Sequence, residues 1–204
     1  MLRRCLAVLL LLLAAAGPAA AEGYGPFGVP QAAYTAEATL TLGRRSYDMR
    51  ITASGPLERR EMVTQGIRRI VLIDQRQGRA SLLLPDQRMA MDADIALVPG
   101  VGELLEMHWT ARPLQVETVA GVRARKHRVE GANSRGDRIA GHAWVTGENI
   151  MVRADLEVRR QGKITQVAQE LRNLRVGGID RGLLTIPAGY RRMPLPMNLF
   201  NRQK

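Results

Sequence analysis

Cysteine is almost absent from this sequence, since Cys5 is the only one in 204 residues. A single thiol so near the start excludes an internal disulfide, a zinc site built on cysteines and thiol catalysis in the body of the chain. Long apolar runs are also scarce. The run from Cys5 to Ala16 has 12 residues, and a membrane-spanning helix needs about 20. We therefore expect stability to come from burial and hydrogen bonding, without disulfides or a membrane-spanning helix.

The start of the chain has the pattern of an export signal. Two arginines precede the apolar run, a glycine–proline pair ends it, and alanines follow up to Ala21. We expect cleavage near Ala21, before Glu22, which makes residues 1–21 a signal peptide. Cys5 precedes the apolar run, so it is not a lipid-attachment cysteine, and a retained membrane anchor is the less favoured alternative. The sequence predicts a soluble periplasmic protein, with residues 22–204 forming one domain.

Lysine is also rare, although the chain is strongly basic. The formal net charge is +11, and only Lys126, Lys163 and Lys204 are lysines. Arginine enrichment has a neutral explanation in the codon usage of a GC-rich genome. The functional alternative is contact with an anionic membrane surface, since a guanidinium suits phosphate groups. Nucleic acid is excluded as an expected partner, because the compartment is wrong and no nucleic-acid-binding motif is present.

Helical periodicity is scarce as well, and alternation with a period of two dominates from residue 33 onward. Apolar and polar residues alternate over 34–42 and again over 47–53, on either side of a turn at Gly43. The clearest alternation lies at 150–159. About ten such strands, joined by short turns, predict a mainly β fold with a single curved antiparallel sheet.

This sheet is expected to form an incomplete, roughly ten-stranded barrel, with one or two short helices as a lid. Pro99 to Gly102 predicts a loop, and Glu103 to His108 predicts a short helix that must pack on the sheet because it is too short to be stable alone. A curved sheet with one apolar face leaves a concave surface that can hold a ligand.

Catalytic and metal-binding patterns are missing. No nucleophile, phosphate-loop or dinucleotide motif occurs, and the carboxylate pairs have no evident partner. The histidines are far apart, and we interpret a set of strand residues as a solvent-facing charge row. We therefore predict no catalytic residues, no metal and no cofactor. The residues weighed were His108, His127, His142, Asp92, Asp94, Glu103, Glu106, Arg153, Asp155, Glu157 and Arg159.

The apolar face carries the functional prediction. Methionine adapts to acyl chains and other irregular apolar ligands, and it is enriched along the strands. Ordinary core packing is the favoured explanation for any one of these side chains, Trp144 included, so the case for a ligand cavity rests on the architecture of the sheet. The predicted ligand-binding residues are Leu40, Met49, Ile51, Met62, Leu72, Leu83, Met89 and Trp144.

Taken in order, several segments resemble the periplasmic outer-membrane lipoprotein carrier superfamily, the LolA/LolB-like proteins, in an uncharacterised branch. The match spans most of the chain after residue 22. It includes a central strand pair, a strand leading to Lys126-His127, a strand pair ending in an arginine, and a terminal P-x-G-Y segment. The segments are Val71–Asp74, Ala80–Asp86, Gly121–Val129, Ala143–Arg153 and Ile186–Tyr190.

The resemblance implies an incomplete barrel closed by short helices around an apolar cavity. It also implies a binding or carrier role for the acyl chains of lipids or lipoproteins, including outer-membrane lipoprotein sorting, by a monomer. Aromatic residues make up only 4% of the chain, so the cavity wall would be aliphatic and rich in methionine. The alternative is a non-catalytic envelope sensor or structural module that binds another envelope protein. A hydrolase would need clustered carboxylates or histidines, which the sequence does not suggest.

Overall fold

The computed structural model describes residues 25–97 and 105–195. The expected signal peptide at 1–21, the loop at 99–102 and residues 103–104 of the helix expected at Glu103–His108 lie outside these ranges. The described part contains twelve strands: β1 (Tyr34–Leu42), β2 (Arg45–Ser54), β3 (Leu57–Thr64), β4 (Ile67–Asp74), β5 (Arg79–Leu84), β6 (Met89–Asp94), β7 (His108–Val119), β8 (Val122–Ala132), β9 (Arg138–Val145), β10 (Met151–Arg160), β11 (Lys163–Val176) and β12 (Arg191–Pro194).

All twelve strands belong to one sheet, in the order β12-β6-β5-β4-β3-β2-β1-β11-β10-β9-β8-β7. Neighbours are antiparallel except β12 and β6, which run parallel. The sheet is not closed, because β7 and β12 form its two edges. This architecture confirms the predicted mainly β, incomplete barrel, with two strands more than the rough count of ten.

Two elements account for the difference from the sequence-based strand pattern. β7 begins at His108, which was expected to end the short helix, and it continues through Pro113 because a register shift falls between Pro113 and Val116. Proline is tolerated at an edge strand or a bulge, and β7 offers both. At the C-terminal end, Arg191–Pro194 forms β12, which runs parallel to β6.

The helical elements that lie wholly within the described ranges are three 3-10 turns, at Pro85–Gln87, Ile95–Leu97 and Arg181–Leu184. The third turn is capped by Asp180, whose carboxylate accepts a 2.8 Å hydrogen bond from the Gly182 amide. No helix in the described ranges has the length and apolar character needed to cross a membrane.

The sheet buries apolar side chains on two faces. One face, which we call the inner face, holds the largest buried cluster. It carries Leu40, Met49, Ile51 and Met62. The outer face carries a smaller cluster formed by Ile70, Leu72, Leu83 and Ala90, against which Ile186 and Tyr190 pack. The strand alternation therefore sorts side chains as expected, but the C-terminal segment covers part of the second face.

Candidate functional site

The centre of the inner face is built by register across neighbouring strands. Ala38 of β1 lies opposite Met49 of β2 on one side and Leu171 of β11 on the other. Leu40 and Leu171 have no exposed surface. Small alanines between larger aliphatic and thioether side chains leave room for those side chains to repack, which suits a surface that accepts flexible apolar groups.

The structure brings six of the eight predicted ligand-binding residues into the main cluster. Five are buried there, and Met89 packs against them as a partly buried residue; the five are Leu40, Met49, Ile51, Met62 and Trp144. Leu72 and Leu83 lie instead in the outer-face cluster. Because Val71, Leu72 and Ile73 are all apolar, the sequence shows no alternation at this point and cannot assign Leu72 to a face.

The inner face also buries an ion pair that the sequence analysis missed. Arg60 Nε lies 2.5 Å from Glu58 Oε1, and the side chains are 2% and 10% exposed. Tyr34 lies close to this pair. Burial raises the pKa of the Tyr34 phenol, the Glu58 charge raises it further, and the Arg60 charge lowers it in part. The phenol is therefore neutral at physiological pH, and the pair places opposite charges within the apolar cluster.

Two further polar groups on this face have buried atoms without a hydrogen-bond partner among the described residues. Arg69 lies opposite Met62 and is 5% exposed, and its Nε is one of these atoms. Its Nη1 donates a 3.2 Å hydrogen bond to the Thr64 carbonyl. Gln169, opposite Leu40, contributes the other, its buried Oε1. The sequence did carry a signal for Arg69, since it is two residues before the inward-facing Val71.

Trp144, another buried member of the main cluster, is surrounded by a second group of charged side chains. Its register partners are Arg153 on β10 and Lys126 on β8, and each cation lies 4.9 Å from the ring centroid. The indole Nε1 donates a 2.7 Å hydrogen bond to Glu117 Oε2. This hydrogen bond lowers the pKa of Glu117 despite an opposing effect of burial. Trp144 is thus a buried member of the cluster that three charged side chains contact.

The predicted charge row on β10 is present. Arg153 pairs with Asp155 at 2.8 Å, and Arg159 lies 3.6 Å from Glu157. These side chains are partly exposed, so each pair contributes about 1 kcal/mol or less to stability. The row is a partly exposed surface feature, and its Arg153 also packs against the Trp144 ring.

A separate cavity of 440 Å³ lies beside the β2–β3 turn and the third 3-10 turn. Its lining mixes apolar side chains with the charges of Asp74, Arg76 and Arg181. Within residues 25–97 and 105–195, no three His, Cys, Asp or Glu side chains come together in a group that could hold a metal ion. The candidate site is therefore the inner face with its buried arginines.

No family model matches the chain, and no curated protein matches it. Solved structures do share its fold. An uncharacterized conserved protein from Thermus thermophilus superposes with a TM-score of 0.52 at 11% identity, over 81% of this chain and 91% of that one. A LolA superfamily protein from Nitrosomonas europaea gives 0.43 at 7% identity, over 78% and 92%. The MucA/MucB complex of Pseudomonas aeruginosa gives 0.45 at 14% identity, over 78% and 57%.

The fold and the inner face define a class: a single open antiparallel sheet that buries a large apolar cluster on one side. The Thermus thermophilus structure shares this fold over most of both chains. The carrier family that the sequence motifs resemble is represented among the structural neighbours. At these identities the likeness concerns the fold.

Proposed function

We propose that this protein is a non-catalytic periplasmic binding or carrier protein that holds the acyl chain of a lipid or lipoprotein against its inner face. The observation that carries the proposal is the main cluster itself. It extends across a sheet that is not closed, and it includes Met49, Met62 and Met91 among its buried residues. An open sheet can exchange the contents of its apolar face without unfolding, which a closed and filled barrel cannot do.

The buried polar groups support the same proposal. A face that served only as a filled core would gain stability if aliphatic residues replaced Glu58, Arg60 and Gln169, because burying charges and amides is costly. Their presence fits a surface that meets a molecule with both an apolar chain and a polar end. The export pattern at residues 1–21 supports a periplasmic location, where such a protein would meet envelope lipids.

The test is to purify the protein from its native host and to extract bound lipid for mass spectrometry. In parallel, the delipidated protein is titrated with a fluorescent acyl probe. The proposal expects a co-purifying acyl compound and a saturable increase in fluorescence at one probe per chain. Absence of both would overturn it.

A second candidate function is binding of another envelope protein, and the β7 edge favours it. β7 is an edge strand, and its Leu114 and Val116 side chains are 39% and 42% exposed. An edge strand offers unpaired backbone groups to an added strand. Substituting Val116→Lys would abolish such an interaction and leave acyl-probe binding unchanged, so one variant separates the two functions.

A further inference from the structure

In the described part of the chain, strands β3 and β4 bury three arginines, and only two of them have a carboxylate. Arg59, on the outer face, pairs with Glu61 at 2.7 Å, and Arg60, on the inner face, pairs with Glu58 at 2.5 Å. Arg69, at 5% exposed, is as buried as Arg59, at 7%. No ion pair forms at Arg69 within the described residues, although the exposed Arg68 beside it pairs with Glu61.

Among the described residues, Arg69 has one hydrogen-bond acceptor and no carboxylate partner. Nη1 of Arg69 donates a 3.2 Å hydrogen bond to the Thr64 carbonyl, and Nε has no acceptor among residues 25–97 and 105–195. An arginine offers five N–H donors in a planar fork that matches a carboxylate or phosphate. A buried guanidinium whose Nε has no acceptor, and which has no carboxylate partner among the described residues, is unfavourable, because a neutral or apolar side chain would fit the site at lower cost.

The position of Arg69 relates it to the apolar face. It lies opposite Met62, and Met62 belongs to the same buried cluster as Met49 and Leu40. The Thr64 carbonyl to which Arg69 donates lies at the end of β3, beside the β3–β4 turn. A cation at this end of the strands lies where an acyl chain running along the face would place its polar end.

We propose that Arg69 is the anion anchor of the inner face, binding the carboxylate or phosphate at the end of an acyl ligand. This inference rests on the proposed function and narrows it to anionic amphiphiles. The chain packs on the methionine-rich face while the anion accepts hydrogen bonds from Nε and Nη2 of Arg69, and Nη1 keeps its hydrogen bond to the Thr64 carbonyl. A buried, charge-assisted pair of this kind gives strong discrimination between a charged and a neutral ligand of equal length.

The test compares ligands that share a chain and differ at the end. Laurate, lauryl alcohol and lauroyl lysophosphatidic acid displace a neutral fluorescent acyl probe from wild type, Arg69→Met, Arg69→Lys and Arg59→Met. We expect wild type to prefer an anionic ligand over the alcohol at least tenfold. Arg69→Met should lose this preference and keep the alcohol affinity, and Arg69→Lys should retain part of it. Arg59→Met, a buried arginine on the other face, should keep the preference.

The ligand arms separate the two sources of the anion, because preference for laurate indicates a fatty acid and preference for the phosphate indicates a phospholipid. If Arg69→Met discriminates as wild type does, or if wild type binds the alcohol as tightly as both anions, the anchor is wrong while acyl binding stands. If wild type binds none of the three, the proposed function itself fails. Urea unfolding checks that the Arg69→Met variant is folded. Its free energy of unfolding should be at least that of wild type, since the substitution removes an unpaired buried charge.

Discussion

The indole Nε1 of Trp144 donates a 2.7 Å hydrogen bond to Glu117 Oε2, and the two residues lie on strands that are not neighbours. Trp144 is on β9 and Glu117 on β7, with β8 between them. Lys126 of β8 contacts both, 4.9 Å from the indole centroid and 3.8 Å from Glu117 Oε1. One side-chain cluster therefore ties the edge strand to the interior of the sheet.

Trp144→Phe should destabilise the protein and loosen β7. The substitution removes the donor to Glu117 and reduces the aromatic surface beneath Lys126 and Arg153. We expect a lower urea midpoint and faster amide exchange along β7, measured by hydrogen exchange. Glu117→Gln keeps an acceptor for the indole and should have the smaller effect. Unchanged exchange in β7 for Trp144→Phe would contradict the linking role of the indole.

Gly141→Ala should be strongly destabilising. A Cβ at Gly141 would lie 2.1 Å from the Asp155 carbonyl oxygen, a backbone atom on the paired strand, and the glycine φ is +157°. Relieving such an overlap needs a backbone shift that costs about 1–3 kcal/mol or more. Gly147→Ala is the matched control, since nothing lies within 4 Å of its Cβ position. Chemical unfolding of both variants measures the difference, and equal stabilities would refute the close approach of β9 and β10.

His127 should make the protein less stable as the pH falls. Burial lowers the pKa of His127 below 6.5, the Arg125 charge adds to this, and the hydrogen bond between Nδ1 and the Arg125 carbonyl opposes it. The unfolded chain therefore takes up a proton near pH 6.5 that the folded state does not bind. The contribution of neutral His127 to the free energy of unfolding is fully present above pH 6.5. It is lost as the pH falls from 6.5 toward the lower pKa that His127 has in the folded state.

Unfolding free energies from about pH 7.5 to 5 test this statement, since that window spans the ordinary histidine pKa. His127→Gln should flatten the dependence in that window. His108→Gln, at an exposed position, controls for the loss of a histidine. A wild-type slope retained in His127→Gln would assign the pH dependence to other groups.

The two faces should separate stability from ligand affinity. Leu83 of the outer face is fully buried, so Leu83→Ala should cost about 2–5 kcal/mol and leave acyl-probe affinity unchanged. Met62→Ala should weaken the probe by several-fold as well as reduce stability, since Met62 lies on the inner face. Urea unfolding and probe titration on both variants give the comparison. Loss of probe affinity in Leu83→Ala alone would place the ligand on the outer face.

The sequence predicted the sheet well because period-two alternation directly reports which side of a strand is buried. Tyr34 to Leu42 alternates cleanly, and β1 buries the expected side chains. The same logic failed at Leu72, which stands in a run that is apolar on both faces because the C-terminal segment covers the second one. That coverage is a long-range contact between the outer-face cluster and the side chains of Ile186 and Tyr190, and no local pattern encodes it.

The buried charges of the candidate site were missed for a different reason. Arginine is so abundant in this chain that an inward-facing Arg60 or Arg69 does not stand out by composition. Strand parity could have identified both, since each is two residues from a buried apolar side chain. Whether such an arginine finds a carboxylate depends on cross-strand register, which only the folded sheet specifies.

The most direct test of acyl binding at the inner face is methyl NMR with a paramagnetic ligand. The protein carries ¹³C-methyl methionine, and a fatty acid with a nitroxide near its chain end is added to saturation. We expect the methyl signals of Met49 and Met62 to broaden, whereas the signal of Met151, packed in a separate cluster, keeps its intensity. Saturable broadening at Met151 alone, or no saturable broadening at any methionine, would contradict the account.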